Sequence, residues 1–194
     1  MLCIPTSDYK GIYMLGLDLL KKAVSRKQPA DKAGIQLLAS MLVCYPEIES
    51  VAYEPDNTKL TLDFVLAGSV DEQKLKSFIK LLNDSLQAYH EIETASQVWM
   101  AAEAESHGNL MLVHIHRQLV TMTRGELSLI ASLFRDAFPA SLQIDQHVTE
   151  QLEPDFAEAQ SAMLDQLLDK SQEYRIREQI IGVRDNDRVV VYNR

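Results

Sequence analysis

Residues 97–119 alternate between two sets of side chains on either side of a short turn, the pattern of a β-hairpin. On the outgoing limb Val98, Met100, Ala102 and Ala104 interleave with Gln97, Trp99, Ala101, Glu103 and Glu105. After Ser106-His107-Gly108-Asn109 the return limb interleaves Met111, Val113 and Ile115 with Leu112, His114 and His116. Successive strand residues point to opposite faces, and directly paired residues of antiparallel strands share one. The hairpin therefore groups His114 and His116 with Glu103 and Glu105, on the face that also holds Trp99, Leu110 and Leu112. A two-residue Gly108-Asn109 turn sets Glu103 opposite His114. A turn centred on His107-Gly108 sets Ala101 there instead.

Similar patterning marks the rest of the chain. Thr6, Ser7 and Asp8 offer N-caps for a helix to about Lys27, with apolar residues covering most of its circumference between Ile12 and Leu20. Pro29 interrupts it, and a second helix, again apolar nearly all round, runs to Cys44. A hairpin follows, with strands at 48–53 and 60–66 around Glu54-Pro55-Asp56-Asn57. Ser69 and Glu72 read as a capping box for a helix from about 70, striped by Leu75, Phe78, Ile79, Leu82, Leu86 and Tyr89. Thr123 and Glu126 form a second capping box, with Met122 and Leu127 as a hydrophobic staple, for a helix stopped by Pro139. Residues 141–148 suggest a strand. Pro154 suits the first turn of a helix to about Tyr174, and Ile180–Arg184 pairs with Arg188–Tyr192 in a last hairpin.

The order α-α-β-β-α-β-β-α-(β)-α-β-β, with strands arriving as adjacent hairpins, predicts an α+β fold: a mainly antiparallel sheet with helices packed on it. The 194 residues suit a single α+β domain spanning 1–194, or alternatively a core at 1–139 with an appended helix and hairpin at 140–194. The element order of residues 31–138 is similar to that of small longin-like or roadblock-like dimerisation modules. The likeness is one of topology, and no motif of those families is present.

A formal charge of −9 argues against a nucleic-acid surface, since phosphate binding needs a concentrated basic patch. Acidic groups crowd residues 145–173, and Lys10, Lys21, Lys22, Arg26 and Lys27 crowd the first 28, a pattern typical of solvated helix faces. Cys3 and Cys44 provide neither a disulfide framework nor a metal spacing. The N-terminal apolar stretch lacks a preceding basic residue and is interrupted by Asp8, Lys10 and Asp18, so neither a signal peptide nor a membrane span is expected. The expectation is a cytoplasmic, reduced protein.

No Gly-rich phosphate loop and no nucleophile elbow occurs, and no catalytic residue is assigned. His114 and His116, two apart on a strand, have a spacing that can hold a divalent metal, with Glu103 or Glu105 adding an oxygen. The plainer account is the polar face of a half-buried sheet, with no cofactor. Arg117 falls by parity on the apolar face, and the expectation there is a strand reaching the sheet edge with Arg117 snorkelling outward. A buried partner among the carboxylates, or an anionic ligand, is the alternative. The favoured function is non-catalytic protein interaction, with the chain itself (as a homodimer) or another protein as partner. The expected interface is either the helix bearing Ile12 and Leu20 or the face bearing Trp99, Leu110 and Leu112. A metal-binding protein or metal-dependent enzyme and a small-molecule sensor are the alternatives.

Overall fold

The computed structural model describes residues 11–14, 29–93, 98–144, 154–171, 173, 176–185 and 188–193. Its strands are β1 (Gly11–Met14), β2 (Ser50–Glu54), β3 (Lys59–Ala67), β4 (Met100–His107), β5 (Leu110–Gln118), β6 (Ile180–Asp185) and β7 (Arg188–Asn193). The helices are α1 (Pro29–Cys44), α2 (Glu72–Glu93), α3 (Arg124–Ala137) and α4 (Pro154–Asp169). The strands form one antiparallel sheet in the order β1-β7-β6-β2-β3-β5-β4, with the helices packed on it. The fold is α+β.

Alternation explains which strand residues meet the helices. Val51 and Tyr53, Leu60, Leu62, Phe64 and Leu66, Val113 and Ile115, and Ile180 are all buried, each on the same parity of its strand. Phe64 stacks on Phe134 of α3 with centroids 3.8 Å apart, and Phe78 of α2 meets the same ring edge-on at 4.6 Å. The all-round apolar character of α1 has a physical reason: the helix lies between the strands and α4. Gly182 of β6 sits against Leu38 and Leu42, while Ser40 donates to Gln160 of α4 at 3.2 Å in the interior. Arg184 of β6 reaches across to the C-terminal end of α1, donating to the carbonyls of Leu42, Tyr45 and Ile48. A cation there satisfies orphan carbonyls and complements the helix dipole.

Four expectations need correction. Residues 11–14, assigned to a first helix, form β1 instead, with Ile12 in register with Val191 of β7. A segment apolar on every side is compatible with either period, and the Val189–Val191 run of β7 offers it a strand partner, so tertiary pairing overrides local pattern. The rest of that expected helix, including Leu20, lies outside the described residues. The second helix cap is Asp71, whose carboxylate accepts from the Lys74 N–H at 2.9 Å, so α2 starts at Glu72 and Ser69 stands outside it. At 141–148 the described residues make a single bridge, Leu142 to Leu66, where the chain takes the flank of β3 that β2 leaves vacant; 145–148 lie outside the described residues. The last helix ends at Asp169 rather than near Tyr174.

Candidate functional site

The long hairpin adopts the Gly108-Asn109 turn, and Glu103 lies directly across from His114. Gly108 has φ +63° at the first central position, where a residue with a Cβ is disfavoured, and Asn109 does not share the positive φ. That is the pattern of a type II′ hairpin turn.

Register then builds the face of the sheet opposite the core. One cross-strand row reads Ser50–Asp63–His114–Glu103 and the next Ala52–Thr61–His116–Ala101. His114 Nδ1 lies 2.7 Å from Asp63 Oδ1, a carboxylate oxygen that accepts its proton, while the Ser50 hydroxyl donates to Asp63 Oδ2. His116 Nδ1 is hydrogen-bonded to Thr61 Oγ1 at 2.9 Å, and its Nε2 stands 3.8 Å from Glu103 Oε2. The two imidazoles are nearly parallel, 11° apart, with centroids separated by 6.5 Å. Glu105 is not part of this group. It pairs across from Leu112, and its carboxylate sits 3.3 Å from His107 Nε2. Among the described residues no three His, Cys, Asp or Glu side chains gather as a metal cage.

Asp63 and Thr61 are the site residues that sequence reasoning missed. Both were visible on the polar parity of β3, but only the pairing of β3 with β5 shows that they stand beside the histidines.

The apolar members of this face divide into two groups. Leu110 and Leu112 lie beside Ala67 and Val65 at the turn end of the hairpin. Trp99, one residue before β4, falls at the opposite end. Six residues of β5 separate the Trp99 end from Leu112 and eight separate it from Leu110, roughly 20 to 27 Å at strand rise. Trp99 is 49% exposed and Leu110 42%, and both are among the most exposed large apolar residues described.

On the core side Arg117 corrects the snorkelling expectation, being 0% exposed. Its Nε donates to Glu126 Oε1 and its Nη2 to Glu126 Oε2 at 3.0 Å, a paired contact with α3. Nη1 donates to the Trp99 carbonyl, fixing the start of β4. Glu126 Oε2 also lies 2.8 Å from His90 Nε2 of α2, so one buried carboxylate ties together β5, α2 and α3. The guanidinium stays inside because its charge and most of its donors have partners. Thr123 caps α3 as expected, accepting from the Glu126 N–H at 3.1 Å, but the Glu126 side chain turns into the core instead of closing a capping box.

Burial pushes the Cys44 thiol above its ordinary range, with a hydrogen bond from Ser161 opposing the shift, so the thiolate needed for nucleophilic chemistry is scarce at neutral pH. No described helix is long and apolar enough to cross a membrane. The chain matches no family model, no curated protein and no solved structure at a significant level.

Proposed function

We propose that this chain is a non-catalytic protein-interaction module that pairs with a second copy of itself through the face of the sheet opposite the core. The carrying observation is the distribution of residues along the hairpin: apolar side chains at both ends, Trp99 at one and Leu110 with Leu112 at the other, and a polar centre around His114 and Glu103. A two-fold axis through the centre lays the Trp99 of one copy over the Leu110–Leu112 end of the other. Isologous contacts need this kind of self-complementarity, and an aromatic anchor in an apolar seat supplies most of the binding energy in many interfaces. The polar centre suits the role because its hydrogen bonds are already made within the chain: Asp63 and Thr61 hold both rings. A reduced cytoplasmic setting fits the absence of any cysteine framework from the sequence.

Light scattering on the full chain tests the proposal. At micromolar concentration the mass should be twice the 21.9 kDa of the chain, and Trp99→Glu should return it to one. A monomer throughout that range, or a dimer indifferent to Trp99→Glu, contradicts it.

A further inference from the structure

We propose that the free edge of β4 takes up an extended peptide segment as an added strand, and that the segment it fits carries lysine or arginine at alternate positions with apolar residues between. The site runs along the side of the sheet and is separate from the face assigned above to self-association. β4 is an end strand: it pairs with β5 on one side, and no described strand lies on the other. The hairpin decides which backbone groups face that open side. A two-residue turn makes His107 and Leu110 a hydrogen-bonded pair, and such pairs alternate along an antiparallel ladder. Glu105, Glu103 and Ala101 therefore bond to β5, whereas Ser106, Ala104, Ala102 and Met100 turn their N–H and C=O groups outward. The far flank of β5 agrees: the Asn109 carbonyl accepts from the Gly68 N–H beside β3, as this alternation requires.

Edge strands are commonly blunted by a proline, a lysine or a bulge. β4 has none of these, and its register runs without a skip from Met100 to His107. What it does carry is negative charge. Glu103 and Glu105 stand two apart on one face, 69% and 61% exposed, and among the described residues neither carboxylate is paired with a lysine or arginine. These two groups select the occupant. A second copy added antiparallel about a two-fold axis at Glu103, Ala104 or Glu105 sets carboxylate against carboxylate, which is destabilising. A segment with a cation opposite each glutamate reverses the sign. Those two positions become non-hydrogen-bonded pairs with the added strand, the closer kind, with Cα atoms about 4.5 Å apart. The residue between the cations falls opposite Ala104, where an apolar side chain packs beside the small side chains of Ala102 and Ala104. Main-chain bonds then supply affinity, and the alternate side chains supply specificity.

The probe is an acetylated, amidated octapeptide of alternating lysine and valine, titrated into the isotope-labelled full chain and followed by calorimetry and NMR. One equivalent should bind, less tightly as salt is added, and the Ala102 and Ala104 amide protons should shift and exchange more slowly with solvent. Methylating the valine nitrogens of the peptide removes the bonds to β4 and should abolish binding, whereas methylating the lysine nitrogens, which point away, should be tolerated. Glu103→Gln with Glu105→Gln should weaken binding about tenfold. Ala104→Pro, which removes an outward N–H but no bond to β5, should abolish it. Absence of binding to the wild type, binding indifferent to valine methylation, or equal affinity for a peptide of alternating glutamate and valine overturns the proposal. So does protection of the Ala102 and Ala104 amides in the chain without peptide, since that places a second copy on the edge. The methylated peptides act on the wild type and decide the matter even where a variant fails to fold.

Discussion

The Arg117 guanidinium of β5 and the Glu126 carboxylate of α3 are both fully buried and meet with Nη2 3.0 Å from Oε2. Taking two charges out of water is costly, and what sustains the pair is saturation of its hydrogen bonds: the Trp99 carbonyl, Thr121 Oγ1 and His90 complete the group. Removing one partner strands the other. Glu126→Leu should therefore destabilise the fold by about 3–5 kcal/mol in urea denaturation, and adding Arg117→Met should recover part of that loss. A single variant within about 1 kcal/mol of wild type shows that the pair does not behave as a coupled buried unit.

The cap of α3 offers a smaller, cleaner test. Thr123 Oγ1 accepts from the Glu126 N–H and is hydrogen-bonded to the Tyr89 hydroxyl at 2.9 Å. Thr123→Ala should cost about 1 kcal/mol and Thr123→Ser much less, since serine keeps the oxygen. An unchanged denaturation midpoint in Thr123→Ala means that this hydroxyl does not secure the helix start.

Gly125 is confined by the same tyrosine. A Cβ on Gly125 would overlap the Tyr89 hydroxyl, so α2 and α3 approach closely there only because the side chain is missing. Gly125→Ala should destabilise by about 1–3 kcal/mol despite alanine's better helix propensity. Tyr89→Phe, which removes the obstructing oxygen, should reduce that cost in a double-mutant cycle. Equal costs in both backgrounds rule out the overlap as the cause.

How much of this was legible in the sequence depends on the range of the interaction. The hairpins β2–β3, β4–β5 and β6–β7 follow from alternation around short turns, and Thr123 follows from a local capping pattern. Pairings between distant segments were not legible: β6 beside β2, β7 beside β1, and β3 beside β5 leave no local mark. That is why Asp63 and Thr61 went unconnected to the histidines. Arg117 did leave a signal, a charge on the apolar parity of its strand. Its partner was hidden because Glu126 sits where a capping box also wants a glutamate. Residues 11–14 were misread because apolar residues on every side carry no period.

Alkaline pH should weaken the fold. Burial raises the Tyr45 phenol above its ordinary value near 10, with the Ser128 hydrogen bond opposing, and raises the Cys44 thiol above its ordinary range. Groups whose folded pKa is raised hold their protons longer in the native state. Their stabilising contribution is intact below the unfolded values and is lost as pH climbs through the folded ones. Denaturation midpoints should thus fall from about pH 9 upward, and Tyr45→Phe should flatten the tyrosine part of the decline. A profile equally steep in Tyr45→Phe excludes Tyr45 as its source. The Tyr45 hydroxyl also donates to the Arg124 carbonyl at 3.0 Å, so Tyr45→Phe should lower stability at neutral pH as well.

The self-association proposal is tested most directly by NMR contacts between the two ends of the hairpin. Within one chain the Trp99 ring and the Leu110 and Leu112 methyls lie toward opposite ends of the β4–β5 hairpin, too far apart for any through-space transfer. In a dimer half labelled with isotope, cross-peaks between Trp99 of one copy and the methyls of Leu110 and Leu112 of the other should appear, and Trp99→Glu should erase them together with the dimer. A sample with dimer mass that shows no such cross-peaks places the interface elsewhere and contradicts the account.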